Sequence, residues 1–146
     1  MMGTIAGSGF LAQAEACWRA HKPKAYEFAI DIRCLMCDFT VRTPERFCVF
    51  NGEAHAIQAL DPRAQPWYER YNTVEKMFAA IRDELSAGEY RVNVKYHPKP
   101  GYPVLVNIRP LQKLADGGLV FSVMRLRRTG VVSATQCWAG TLDGSR

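Results

Sequence analysis

The segment Asn72–Gly88 constrains the fold more than any other part of this sequence, because it reads as one complete amphipathic helix. Thr73 or Asn72 can cap the free amide groups of the first turn, and Gly88 suits the left-handed conformation that ends many helices. The large apolar residues recur at the spacing that forms one stripe: Val74, Met77, Phe78, Ile81 and Leu85. We expect this stripe to pack on a sheet and to hold the core together.

The cap decides what Glu75 does. With Asn72 as the cap, Glu75 takes the third helical position, where its carboxylate can reach back to the cap residue. A carboxylate in the first turn also meets the positive end of the helix dipole.

Strand patterns flank this helix on both sides. Strict alternation over Tyr26–Arg33 predicts a half-buried strand. The Asn51-Gly52 pair between two apolar runs predicts a two-residue hairpin, because both turn positions need a positive φ. Such a hairpin places Cys48 directly opposite His55. Three further strands are predicted after the helix: Tyr90–Tyr96, Val104–Arg109 and Leu119–Leu126.

An N-terminal helix over about residues 9–20, anchored by Trp18, completes an α-β-β-β-α-β-β-β order. Sequential strands favour an α+β fold with a mostly antiparallel sheet of five to six strands and both helices on one face. We predict one domain over residues 9–127, a flexible start over 1–8 and a C-terminal tail over 128–146. Residues 61–71 are predicted to be a polar connection.

The chain has five cysteines, an odd number, so at least one cannot pair within the chain. The main candidate cluster is Cys34, Cys37, Cys48 and His55. Three thiolates and one imidazole would complete a structural zinc site. In an oxidising compartment Cys34 or Cys37 would instead form a disulfide with Cys48. Unlinked thiols are the third alternative, and no other cofactor is predicted.

Basic residues share the polar side of several predicted strands. The set is Arg33, Arg91, Lys95, Arg109 and Arg125, in a chain with a net charge of +5. A positive sheet face of this kind would suit phosphate, nucleic acid or an acidic partner. The same side lacks stacking aromatic residues, so base reading is not predicted, and a plain solvated face is the simpler alternative. The turn that holds His97, Lys99 and Tyr102 is a second candidate contact surface.

Catalytic patterns are weak in comparison. Glu27 and Asp31 lie on one strand face, where paired carboxylates can divide acid and base roles, but neighbouring Arg33 favours ion pairing instead. His97 has no carboxylate nearby in the sequence to act with it as a base. We therefore do not predict an enzyme. No apolar run approaches the ~18 residues that span a bilayer.

A series of short motifs resembles an uncharacterised bacterial family of small secreted proteins and lipoproteins. The motifs run from about Leu11 to Leu126: Trp18, Tyr26-Glu27-Phe28, Cys34 with Cys37, Asn51-Gly52, Thr73–Ile81, Val94-Lys95-Tyr96 and Gly101-Tyr102-Pro103. The resemblance implies a periplasmic or extracellular location and carries no established activity. The first residues lack the basic start of a signal peptide, so export is expected from the resemblance alone.

Two functions follow as expectations. The first is a non-enzymatic binding or structural module of the bacterial cell envelope or a secreted one, with an unknown protein or anionic partner. The alternative is a cytoplasmic binder of nucleic acid or another polyanion through the basic sheet face. The ligand and the oligomeric state are not determined by the sequence.

Overall fold

A computed structural model describes residues 4–5, 8–34, 44–57, 62–111, 118–131, 133 and 136–137. The elements are, in chain order, β1 (Thr4–Ile5), α1 (Ser8–His21), β2 (Ala25–Cys34), β3 (Glu45–Phe50), β4 (Glu53–Ala56), α2 (Gln65–Glu69), α3 (Val74–Ala87), β5 (Tyr90–Tyr96), β6 (Pro103–Pro110) and β7 (Leu119–Arg128). The strands form one sheet in the order β1-β5-β6-β7-β2-β3-β4, and every neighbouring pair is antiparallel. The predicted α+β fold is confirmed.

The two faces of the sheet differ completely. One face carries the core, in which buried side chains of all three helices meet the inward residues of the strands. The opposite face, which we call the open face, carries the alternate residues of the central strands. Its members are Arg91, Asn93 and Lys95 on β5, Leu105, Asn107 and Arg109 on β6, Val120, Ser122 and Met124 on β7, Glu27, Ala29, Asp31 and Arg33 on β2, and Arg46, Cys48 and Phe50 on β3.

Helix α3 confirms the prediction at both ends and along its stripe. Thr73 is the cap, and its hydroxyl accepts a hydrogen bond from the Lys76 amide at 3.0 Å. Gly88 ends the helix in the left-handed conformation with φ 72°. The stripe is buried at Val74, Met77, Phe78 and Ile81, and Leu85 packs partly buried at its end. Trp18 of α1 is fully buried, as expected of an anchor.

Because Thr73 rather than Asn72 caps the helix, Glu75 is its second residue and does not form the expected reciprocal cap. Its carboxylate instead accepts hydrogen bonds from Trp18 Nε1 at 2.7 Å and from the Tyr26 hydroxyl at 3.2 Å. Burial, followed by the nearby Glu75 charge, raises the pKa of Tyr26, so its hydroxyl stays a donor. This carboxylate therefore ties α1, β2 and α3 together.

Replacing Glu75 by alanine should lower the free energy of unfolding by about 1 to 3 kcal/mol, because it removes the acceptor of two buried donors. The measurement is a urea titration followed by circular dichroism. Lys22 is the matched control, since it reaches the same carboxylate at 3.3 Å from a side chain that is 44% exposed. Lys22→Ala should cost less than about 1 kcal/mol. Equal losses in the two variants would contradict this account.

Two elements were not predicted. Helix α2 lies within residues 61–71, which we expected to be a connection. It has only five residues, too few to show a helical stripe, and it is held by Tyr68, which packs on Phe47 with 5.9 Å between ring centroids. Strand β1 has two residues, which pair with Lys95 and Val94 at the edge of β5.

Candidate functional site

Two arginines stand directly opposite each other at one end of the open face. Arg91 on β5 pairs in register with Arg109 on β6, and both side chains are exposed. Like charges in this position repel and destabilise an antiparallel pair. Neither arginine forms an ion pair with a carboxylate in the part of the chain that the structure describes. No carboxylate among the described residues therefore compensates the repulsion between them.

Two asparagines extend this arrangement along the same strands. Asn93 and Asn107 stand opposite each other beside the arginine pair. The side-chain oxygen of Asn107, Oδ1, accepts a hydrogen bond from Arg109 Nε at 3.1 Å. This bond orients the guanidinium and leaves its terminal nitrogens for other acceptors. Lys95 follows on β5, four residues or about 13 Å from Arg91, and is also exposed. We call Arg91, Asn93, Lys95, Asn107 and Arg109 the cationic patch.

The structure brings together three of the five predicted basic residues. Arg33 lies on β2, separated from β6 by β7, and its Nε contacts Asp31 Oδ2 at 3.4 Å, which confirms the predicted ion pair. Arg125 lies in an irregularity of β7 where the register with β2 shifts, and its φ is 56°. A positive φ is uncommon for a residue with a side chain and occurs at bulges. Arg125 is exposed but does not belong to the patch.

The arginines on the remainder of the open face are paired with carboxylates. Glu27 on β2 contacts Arg127 at 3.0 Å and Arg46 at 3.5 Å, each on a neighbouring strand. Neither arginine was among the predicted site residues, because their pairing depends on the registers of β2 with β7 and β3. The open face is thus compensated at β2 and β3 and positive at β5 and β6.

A disulfide joins Cys48 of β3 to Cys137, with 5.6 Å between the Cα atoms. A disulfide was one of three alternatives for Cys48, and it is present, but the predicted partners Cys34 and Cys37 are wrong. The side chain of Cys34 and the whole of Cys37 lie outside the described residues. Since Cys48 is oxidised, it has no thiolate to give to the predicted zinc site with His55. Cys137 was overlooked because nothing near it in the sequence points to a partner 89 residues away.

The surroundings of the disulfide explain its burial. Cys48 and Cys137 pack with Ile57, and the half-buried Phe50 and Val131 lie against them. The segment that follows β7 is thereby fastened over the β3 end of the open face.

The hairpin register is as predicted. Asn51 and Gly52 have φ values of 55° and 83°, and Cys48 stands opposite His55. His55 is half-buried, and its Nε2 atom is buried with no hydrogen-bond partner in the part of the chain that the structure describes. The local geometry of β3 and β4 is thus confirmed, although the cluster expected around it is not.

The second candidate surface, the turn between β5 and β6, is largely used by the fold. The Tyr102 ring is buried and stacks on His97 with 4.9 Å between centroids. Gly101 has φ 102°, and an added Cβ atom would lie 2.7 Å from the Ala14 carbonyl oxygen of α1. Of the three predicted residues only Lys99 is exposed. A partner role for this turn stays a prediction.

Glu45 Oε1 on β3 and the Tyr68 hydroxyl on α2 are buried and have no hydrogen-bond partner among the described residues. Burial raises the pKa of Glu45 above its usual range. Burial also raises the pKa of Tyr68, and the charges of Glu45 and Asp31 add to the effect. Glu45 therefore destabilises the fold when it is ionised.

Replacing Glu45 by glutamine should stabilise the protein at neutral pH, and the gain should shrink as the pH falls. A raised folded-state pKa means that the native protein binds the proton more tightly than the unfolded chain, so the wild type loses stability as pH rises through that pKa. Urea titrations across acidic and neutral pH measure the difference. Glu53, exposed on β4, is the control, and Glu53→Gln should stay within about 0.5 kcal/mol of the wild type throughout. A gain for Glu45→Gln that did not change with pH would contradict the expectation.

Comparison with known proteins places this fold in a family. A family model matches residues 10–128, from the first turn of α1 to the last residue of β7. The chain belongs to the DUF6174 family. This is a family of unknown function, so the predicted resemblance to an uncharacterised family is confirmed at that level. The DUF6174 match includes the whole cationic patch but ends before Cys137.

No curated protein and no solved structure matches the chain. Across the described ranges, no helix combines the length and the apolar character needed to cross a bilayer.

Proposed function

We propose that this DUF6174 protein is a non-enzymatic binding module that works in an oxidising compartment, in the cell envelope or outside the cell. Its partner binds on the open face at the cationic patch. The observation that carries the proposal is the pair of Arg91 and Arg109, which no carboxylate of the described residues compensates, on the sheet face opposite α1, α2 and α3. A partner with negative charge would remove the repulsion between them and would gain charge-assisted hydrogen bonds.

The compartment is inferred from the disulfide. Bonds such as Cys48–Cys137 persist in secreted and periplasmic proteins and are rare in reducing cytosol. The resemblance to small secreted proteins and lipoproteins supports the same location.

The absence of catalysis is inferred from the placement of the imidazoles. His21 lies on α1, His55 on β4 and His97 in the turn after β5. In the described ranges, none of the three hydrogen bonds to a carboxylate, the arrangement that usually makes histidine an effective base. A binding role needs no such arrangement.

The test is site-specific photo-crosslinking in the cells that express the protein. A photoreactive amino acid is placed at Asn107, in the centre of the patch, and in a matched variant at Ala79, which is exposed on α3 on the helical side. Adducts are expected from position 107 alone. Alkylation of free thiols before and after reduction, followed by mass spectrometry, should show Cys48 and Cys137 protected until reduction. Adducts from position 79 alone, or from neither position, or a reduced Cys48 in the cell would overturn the proposal.

A further inference from the structure

We infer that the cationic patch binds a linear polyanion, a chain that presents phosphate, sulfate or carboxylate groups in series, and that it does so without reading bases. This inference rests on the proposed function and specifies the chemistry of the partner. Its basis is the layout of the patch: two arginines side by side, two asparagines side by side, and a lysine about 13 Å along the strand.

The layout favours a chain over a single small anion. The cations do not converge on one point, as they would around a lone phosphate. They lie along β5, from the Arg91–Arg109 pair at one end to Lys95 at the other. A polymer can place one acidic group at the Arg91–Arg109 pair and another at Lys95. The binding free energy then comes from several contacts and from the release of counterions.

Other partners fit the surface less well. Energetic hot spots of protein interfaces are mostly tryptophan, tyrosine and arginine, packed at a dry centre. The patch offers arginines but no outward aromatic residue on β5 and β6, and its apolar neighbours are the half-buried Leu105 and, on β7, Val120. Nucleic acid binding to sheet faces uses aromatic rings that stack on bases, and the described outward residues of β5 and β6 include none.

Anchoring to a membrane surface needs apolar side chains that enter the lipid. The large apolar side chains that are exposed in the described ranges, Phe10 and Leu111, lie outside these strands.

The open face also supplies its own controls. Arg33 and Arg127 are exposed arginines on β2 and β7, but each is paired with a carboxylate, Asp31 or Glu27. If net positive charge alone attracted the ligand, the loss of a paired arginine would matter as much as the loss of Arg91. If the patch is the site, the two positions should differ.

The experiment is fluorescence titration of the purified full chain with labelled linear polyphosphate, and in a second arm with poly-glutamate, over a range of salt concentrations. Binding should weaken steeply with salt. Arg91→Gln and Arg109→Gln should each weaken it about three- to tenfold and reduce the salt slope by about one, while Arg33→Gln and Arg127→Gln should change it less than about twofold. The two arms distinguish phosphate from carboxylate polymers as the preferred source of charge. The midpoint temperature of thermal unfolding should not be lower in Arg91→Gln than in the wild type, because the substitution relieves the repulsion between Arg91 and Arg109.

Several results would overturn the inference. They are no binding to either polymer at low salt, equal losses in the patch and control variants, equally tight binding of single inorganic phosphate, tighter binding of single-stranded DNA, and binding only to phosphatidylglycerol vesicles. Crosslinks from position 107 to a protein, together with no polymer binding, would leave the proposed function standing and reject only this inference. Crosslinks from position 79 alone would reject both.

Discussion

Replacing Phe78 by alanine should lower the free energy of unfolding by about 3 to 5 kcal/mol. The Phe78 side chain is fully buried on the apolar stripe of α3 and lies parallel to the Tyr96 ring of β5, with 6.1 Å between centroids. The substitution removes apolar surface that folding buries, and it leaves a cavity between helix and sheet. Because small domains are stable by only about 5–15 kcal/mol, this single change should remove a large share of the total.

The measurement is urea unfolding followed by circular dichroism and by tryptophan fluorescence. Asp83→Ala, at an exposed position of the same helix, is the control and should change stability by no more than about 0.5 kcal/mol. If Phe78→Ala does not fold, Phe78→Leu keeps the test open, since it leaves a smaller cavity and should lose less. A loss below about 1 kcal/mol in Phe78→Ala would mean that α3 does not hold the core as described.

Removing the Cys48–Cys137 disulfide should cost about 2 to 4 kcal/mol. The bond closes a loop with a sequence separation of 89, so it restricts the unfolded chain strongly. Reduction also releases Cys137, which packs with Cys48 and Ile57 and against which Val131 lies. The freed segment gains conformational entropy in the reduced native protein, which offsets part of the loss in stability.

Two independent routes to the same state test this value. Cys48→Ser and Cys137→Ser should unfold at the same lowered urea concentration. Cys17→Ser is the control, because Cys17 is free and half-buried on α1, and it should change stability by less than about 1 kcal/mol. An unchanged midpoint in Cys137→Ser would show that the bond contributes nothing to stability.

Only part of the cationic patch could be predicted from the sequence. Strand alternation alone placed Arg91, Lys95 and Arg109 on the side away from the core, and the structure exposes all three. The alternation could not show that Arg91 stands opposite Arg109, because that requires the register of β5 with β6. It grouped Arg33 with them, although β7 lies between β2 and β6.

What the sequence determined by itself is local. A cap at Asn72 or Thr73, the end of α3 at Gly88 and the Asn51-Gly52 hairpin each depend on a few neighbouring residues, whose backbone preferences and hydrogen bonds act within one turn. Strand alternation is equally local, since it requires only that one side of each strand faces a core.

What the tertiary structure decided is the meeting of distant segments. Cys48 with Cys137, Glu75 with Trp18 and Tyr26, and Glu27 with Arg127 all depend on the order of the strands. Many pairings of such residues are compatible with the same local preferences. Only the packing of one shared core selects among them, because each alternative would bury a different set of side chains.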